Sequence, residues 1–149
     1  TISQTLAGRK QLQYVDAYVE NPAVMMAVQG GLTIVAMADE QGAQMVLADI
    51  DRGDFVKVQG VDFGEKAPTK WNVYIRKSEY CGEDCVIQLR VGTATGQVIG
   101  YLTLTEAVET GADGFDRYEA VLTQEVTGVN DFYMIFSGCD YQVKSWYFE

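Results

Sequence analysis

The chain of 149 residues contains no histidine, three cysteines and two prolines, and its 11 basic residues are outnumbered by 21 acidic ones. Each scarcity closes a class of function. Without histidine there is no Ser-His-Asp or Cys-His nucleophile system, and the commonest general base near neutral pH is gone. Cys81, Cys85 and Cys139 are too few to define a disulfide framework or a four-ligand zinc site. Cys81 and Cys85 flank "GED" and could close a small loop in an oxidising compartment, leaving Cys139 over. A formal charge of -10 repels phosphate backbones and anionic bilayers, which argues against both nucleic acid and membrane surfaces as partners. No apolar run approaches the roughly twenty residues that cross a bilayer. The richest stretch, Ala23 to Ala38, is broken by Gln29, Gly30, Gly31 and Thr33 and reads as two strands and a turn. The sequence begins at Thr1 without Met or a signal peptide, so an excised domain or mature segment is expected.

What is abundant is alternation. "DFVKVQGVDF" (54–63), "KWNVYIRKS" (70–78), "CVIQLRVGT" (85–93), "VIGYLTLTE" (98–106), "RYEAVLTQEV" (117–126), "NDFYMIFSG" (130–138) and "YQVKSWYFE" (141–149) place apolar and polar residues at period two and are rich in β-branched and aromatic types. Turn residues separate them in "GEKAP", "TATG", "ETGADG" and "TGVND". No stretch of ten or more residues carries a clear helical pattern. An all-β fold is predicted, a jelly-roll β-sandwich of two antiparallel sheets. "LAGRKQLQ" has linker composition, so residues 1–12 are read as a linker from an upstream domain and 13–149 as the folded module.

Candidate chemistry is sparse. Among 21 acids some pair by chance, and no carboxylate dyad stands out as catalytic. "GTATG" (92–96) lacks the Lys-Ser/Thr and the helix of a phosphate-cradling loop and reads as a hairpin turn. "DIDRGD" (49–54) and "GADGFD" (111–116) lack the ligand spacing of an EF-hand and read as turn caps. Trp71, Phe132, Phe136 and Trp146 lie inside strands and are assigned to the core. Phe115 follows a polar, Gly-rich loop, where its ring is expected to face solvent. Exposed rings suit the C–H faces of sugars, with amides and carboxylates binding the hydroxyls.

Four segments, in order, "DIDRGDFVKVQGVDFG" (49–64), "IQLRVGTATGQVIGYLTL" (87–104), "TGVNDFYMIFSG" (127–138) and "YQVKSWYFE" (141–149), resemble family 6 carbohydrate-binding modules. "DIDRGDFVKVQGVDFG" (49–64) is similar to the family's Asp/Asn-Gly-Asp-aromatic turn and following strand. "IQLRVGTATGQVIGYLTL" (87–104) resembles its strand–turn–strand with a "GxxIG" ending. "TGVNDFYMIFSG" (127–138) resembles its "SGVHDLYLVFKG" type of motif, and "YQVKSWYFE" (141–149) its closing "FNxDWxxF". "KQLQYVDAYVENPAVMMA" (10–27) lines up with modules attached to family 43 glycoside hydrolases, which implies a parent acting on arabinoxylan or a related hemicellulose.

The resemblance implies a non-catalytic domain that binds oligosaccharide or polysaccharide, such as xylan or arabinoxylan, beside a glycoside hydrolase domain in the same chain. A secreted, periplasmic or cell-surface location goes with that role. The family's stacking tryptophan in "GGWxxW" falls on Phe115, the second tryptophan of that loop on Tyr118, and its hydrogen-bonding asparagine on Gln142. The aromatic of the opposite cleft wall falls on Asp49. The positions that help hold the family's structural calcium fall on Pro22, Val24 and Lys144, so no calcium is expected there. The Lys144 ammonium would fill part of that space or reach solvent. These departures leave a second expectation open, a degenerate module that docks on its catalytic neighbour as a structural domain.

Overall fold

The computed structural model describes residues 14–26, 28–31, 33–36, 45–48, 50, 53–78, 85–93, 95–138 and 141–149. The expected linker, Asp49, Cys81 and Cys139 lie outside them. Among the described residues twelve strands run in chain order: β1 Val15–Asp16, β2 Asn21–Pro22, β3 Val28–Gly30, β4 Thr33–Ala36, β5 Met45–Ala48, β6 Phe55–Asp62, β7 Lys70–Lys77, β8 Val86–Val91, β9 Gln97–Thr103, β10 Asp116–Val121, β11 Val129–Phe136 and β12 Tyr141–Phe148. They form two sheets. The first follows the order β1-β6-β11-β8-β9 with β3 also pairing β6, and the second β10-β7-β12-β5-β4 with β2 also pairing β12.

Alternation decides which side chains enter the space between the sheets. In β7, Trp71, Val73 and Ile75 turn inward, and in β11 Phe132, Met134 and Phe136 do the same from the facing sheet. The centre is aromatic: Phe132 lies 5.1 Å from both Trp146 and Phe148 between ring centroids, and Phe63 meets Phe148 edge-on at 4.9 Å. All four rings assigned to the core from sequence are there. "GTATG" is the β8–β9 connection, closed by Gly96 N donating to Thr93 O.

The N-terminal stretch departs from simple hairpins. The chain lays β1 on the edge of the first sheet, β2 on the second, β3 back on the first and β4 on the second. The β3–β4 turn, with Gly31 at φ 84°, is therefore a crossing between sheets. β1 also pairs parallel to β6, with Val15 opposite Val61 and Asp16 opposite Asp62, while the other pairs of the first sheet are antiparallel as predicted.

Candidate functional site

Phe115 and Gln142, two of the residues that the resemblance assigned to sugar binding, lie on the outer face of the second sheet, and the geometry there differs from expectation. Along β7 the residues between the core positions, Asn72, Tyr74 and Arg76, face away from the sandwich. On β12 Gln142 lies directly opposite Arg76, and a register shift between Val143 and Ser145 leaves Lys144 unpaired in the ladder. That bulge swings the Lys144 side chain over the same face.

The 111–116 turn supplies the remaining groups and ties itself down. Asp113 Oδ1 accepts the Phe115 N–H at 3.0 Å and Asp116 Oδ1 accepts the Gly111 N–H at 3.0 Å. These are the capping roles expected of the acidic cluster. Gly114 takes φ 85°, and a β-carbon there would come within 3.1 Å of the Arg76 guanidinium, so glycine lets the turn close down on that side chain.

Phe115 is consequently not an exposed ring. It is wholly buried against Val46, with Tyr74 packed beside them. Arg76 Cζ sits 4.5 Å from its ring centroid, and Arg76 Nη2 donates to Asp113 O at 2.6 Å. Lys144 Nζ donates to Asp113 Oδ2 at 2.6 Å and lies 6.0 Å from the same ring. The expectation of a solvent-facing ring is corrected for a physical reason. The side-chain caps pull the turn back onto β7, and an aromatic face with two cations above it is better buried than wet. Burial pushes the Asp113 carboxyl upward, but the Lys144 hydrogen bond, the Phe115 N–H and the Lys144 charge together hold it below the ordinary 3.8.

Tyr118 is also corrected as a binding residue. It belongs to the main core at 3% exposure, with Lys77 Nζ 5.9 Å from its ring, because β10 turns it inward opposite Val73. Gln142 is partly exposed beside Arg76 and, of the three proposed contacts among the described residues, is the one at an accessible position. Sequence reading missed Arg76 and the pairing of Asp113 with Lys144. Period-two counting puts Arg76 on the outer face, but its seat over Phe115 depends on a turn distant in sequence.

The three positions that the resemblance assigned to calcium are engaged in other ways. Pro22 pairs with Ser145 through the β2–β12 ladder, Val24 packs against the core, and the Lys144 ammonium is engaged with Asp113. None is an oxygen ligand, and no cluster of three or more metal-type side chains occurs among the described residues. Lys144 therefore does not run free into solvent.

These features first define a class, a two-sheet β-sandwich of the jelly-roll kind. A model of the family described as carbohydrate binding module (family 6) matches residues 22–149, and the chain belongs to that family of non-catalytic binding modules. Solved structures agree on the fold. A family 6 module from Clostridium stercorarium, solved with cellobiose, superposes with a TM-score of 0.75 at 20% identity, covering 92% of this chain and 97% of that one. A family 6 module from Clostridium cellulolyticum, solved with xylose, gives 0.74 at 19% identity over 90% and 98%. A family 43 arabinoxylan arabinofuranohydrolase from Bacillus subtilis gives 0.76 at 20% identity over 91% of this chain and 28% of that larger protein. The search of curated proteins found no match.

Proposed function

We propose that this module binds a plant cell-wall polysaccharide of the xylan or arabinoxylan kind and holds a family 43 type glycoside hydrolase, carried in the same polypeptide, at its substrate. Tethering of this sort raises the effective concentration of substrate at a catalytic domain without performing chemistry. Family membership carries the reading. Similar modules were solved with xylose and with cellobiose, and the similar arabinoxylan-acting enzyme from Bacillus subtilis is several times longer than this chain. A substrate of that kind lies outside the cell, which places the module in a secreted, periplasmic or surface protein.

On the face of the second sheet, the sugar would meet polar groups before it met an aromatic one. Gln142 and Arg76 are direct partners across the β12–β7 pair, and their amide and guanidinium would supply donors and an acceptor for hydroxyls. Phe115 then acts from beneath, as the support on which Arg76 rests. Asp49 stands as the proposed opposite wall. Calorimetric titration with xylo-oligosaccharides, arabinoxylan and β-glucans tests the reading: heat with xylan-type ligands is expected, and silence with every glycan would remove it.

One observation favours a second reading, a module that docks on its catalytic neighbour. The ring that corresponds to the family's stacking platform is sealed under Arg76 and flanked by an ion pair. In that case the isolated domain binds no glycan, and its deletion lowers the melting temperature of the full-length enzyme.

A further inference from the structure

An open hollow lies away from Phe115. It measures about 310 Å³ and is lined by Tyr14, Asp16, Tyr18, Asp62 and Gly64, at the edge of the first sheet where β1 meets the end of β6. The family match begins at residue 22, so Tyr14, Asp16 and Tyr18 come from a segment that precedes it.

The hollow is built rather than incidental. Tyr14 and Tyr18 are 50% and 41% exposed, whereas both tryptophans, on the second sheet, are fully buried. Gly60, at φ 67° in the bulge of β6 opposite Asp131, gives Tyr14 its seat: a β-carbon there would stand 3.3 Å from the ring. Tyr18 is fixed at three points. Its N–H donates to Asp16 Oδ1 at 2.8 Å, and its hydroxyl donates to Phe63 O at 2.6 Å, with Lys66 O at 3.0 Å. Asn21 Nδ2 donates to Asp16 O and Val19 O, which locks the turn that carries both residues. Burial first, then Asp16 and Asp62, raise the Tyr18 phenol above its ordinary value, so it stays protonated and keeps this anchor.

The two carboxylates are neighbours by construction. Asp16 and Asp62 are direct partners in the parallel β1–β6 pair. Like charges side by side oppose folding, and no ion pair relieves either of them among the described residues. Each carboxylate uses one oxygen internally, Asp16 for Tyr18 N and Asp62 for Gly64 N. Their remaining acceptor capacity suits a ligand rich in hydroxyl donors. An anionic ligand would be repelled. A ligand with flat C–H faces and several hydroxyls meets both the rings and the carboxylates.

We propose that the hollow formed by Tyr14, Asp16, Tyr18 and Asp62 is a second carbohydrate-binding site, which takes a neutral sugar unit through contact with the tyrosine rings and hydroxyl donation to the two carboxylates. The ligand class rests on the reading given under Proposed function, while the site does not share a residue with the Phe115 face.

The test is a nitrogen-15 NMR titration of the whole chain with xylohexaose, cellohexaose and laminarihexaose, each also run on Tyr14→Ala, with tetramethylammonium as a cation control. The site predicts shifts at the amides of Tyr18, Gly60 and Gly64, and an affinity about tenfold weaker in Tyr14→Ala, the size of one lost ring contact. The variant should melt at the wild-type temperature, since half of that ring is already in water. Shifts confined to Phe115, Arg76 and Gln142, untouched by Tyr14→Ala, would overturn this site and leave the proposed function standing. No shift with any glycan would overturn both. Tyr14-dependent binding of tetramethylammonium without glycan binding would overturn the ligand class.

Discussion

The outer face around Phe115 and the hollow around Tyr14 use the same materials, aromatic rings with charged neighbours, to opposite ends. At Phe115 the charges are cations that sit over the ring and an aspartate that holds them there, so the group is complete in itself. At Tyr14 and Tyr18 the charges are two adjacent carboxylates with no cation of their own among the described residues, and the rings stay in water. A cation completes an aromatic face, while a bare carboxylate beside an exposed ring leaves acceptors to be filled from outside. Burial is the observable that separates the two: Phe115 is sealed and contributes stability, whereas Tyr14 is exposed and contributes little.

Replacing Phe115 gives the largest effect and can break this comparison outright. As a buried ring it should destabilise the module by about 3 kcal/mol when changed to alanine, the range for a core phenylalanine. Urea unfolding measures it. A stacking platform would show the reverse pattern, with stability nearly unchanged and glycan affinity collapsed, and that result would return Phe115 to the solvent-facing role that its loop suggested.

The contrast also marks how far the sequence could be read. The strands over 54–63, 70–78 and 141–149 were legible because alternation is local, and Trp71, Phe132, Phe136 and Trp146 are buried because strand position alone decides their side. The turn caps at Asp113 and Asp116 were legible for the same reason, since the bonds they make span two and five residues. Phe115 was misread because its loop composition says nothing about Arg76, which reaches it through the β10–β7 and β7–β12 pairings. Tyr14 and Tyr18 were passed over as the entry to the domain. Their hollow requires a parallel pairing and a bulge at Gly60, and neither leaves a periodic trace. Long-range pairing decided what local pattern could not.

A middle-sized effect sharpens the second region. Tyr18→Phe keeps the ring and removes the hydroxyl that donates to Phe63 O, which should destabilise the module by about 1 kcal/mol, the worth of one partly buried hydrogen bond. The pH dependence has a definite sign. A phenol raised above the ordinary 10.0 in the folded state contributes stability that is fully present below that value and is lost as the pH climbs through the raised one. Ultraviolet difference titration should therefore find Tyr18 ionising late, as does Tyr74, whose phenol burial also raises, and Asp16→Asn should move the Tyr18 step earlier by removing a nearby negative charge. A Tyr18 that titrates with the exposed tyrosines would mean that its hydroxyl is not anchored.

The smallest effect concerns the ion pair that closes the Phe115 face. Asp113 is held below its ordinary 3.8 in the folded state, so its contribution is present above that value and lost as the pH falls through the lowered one. Lys144→Met removes the hydrogen bond and the charge that outweigh burial, so the folded carboxyl rises and this acid-side loss flattens. The pair is partly exposed, with side chains 19% and 27% accessible, so its worth should stay under about 1 kcal/mol and shrink with added salt. Unfolding free energies of wild type and Lys144→Met, followed from about pH 5 to about pH 2, measure the difference. Parallel curves would mean that the ammonium does not engage Asp113, and the turn would then be free to lift. Diverging curves would mean that a sugar approaching Phe115 must first displace an ion pair and a guanidinium, a barrier with no counterpart at the open rings of Tyr14 and Tyr18.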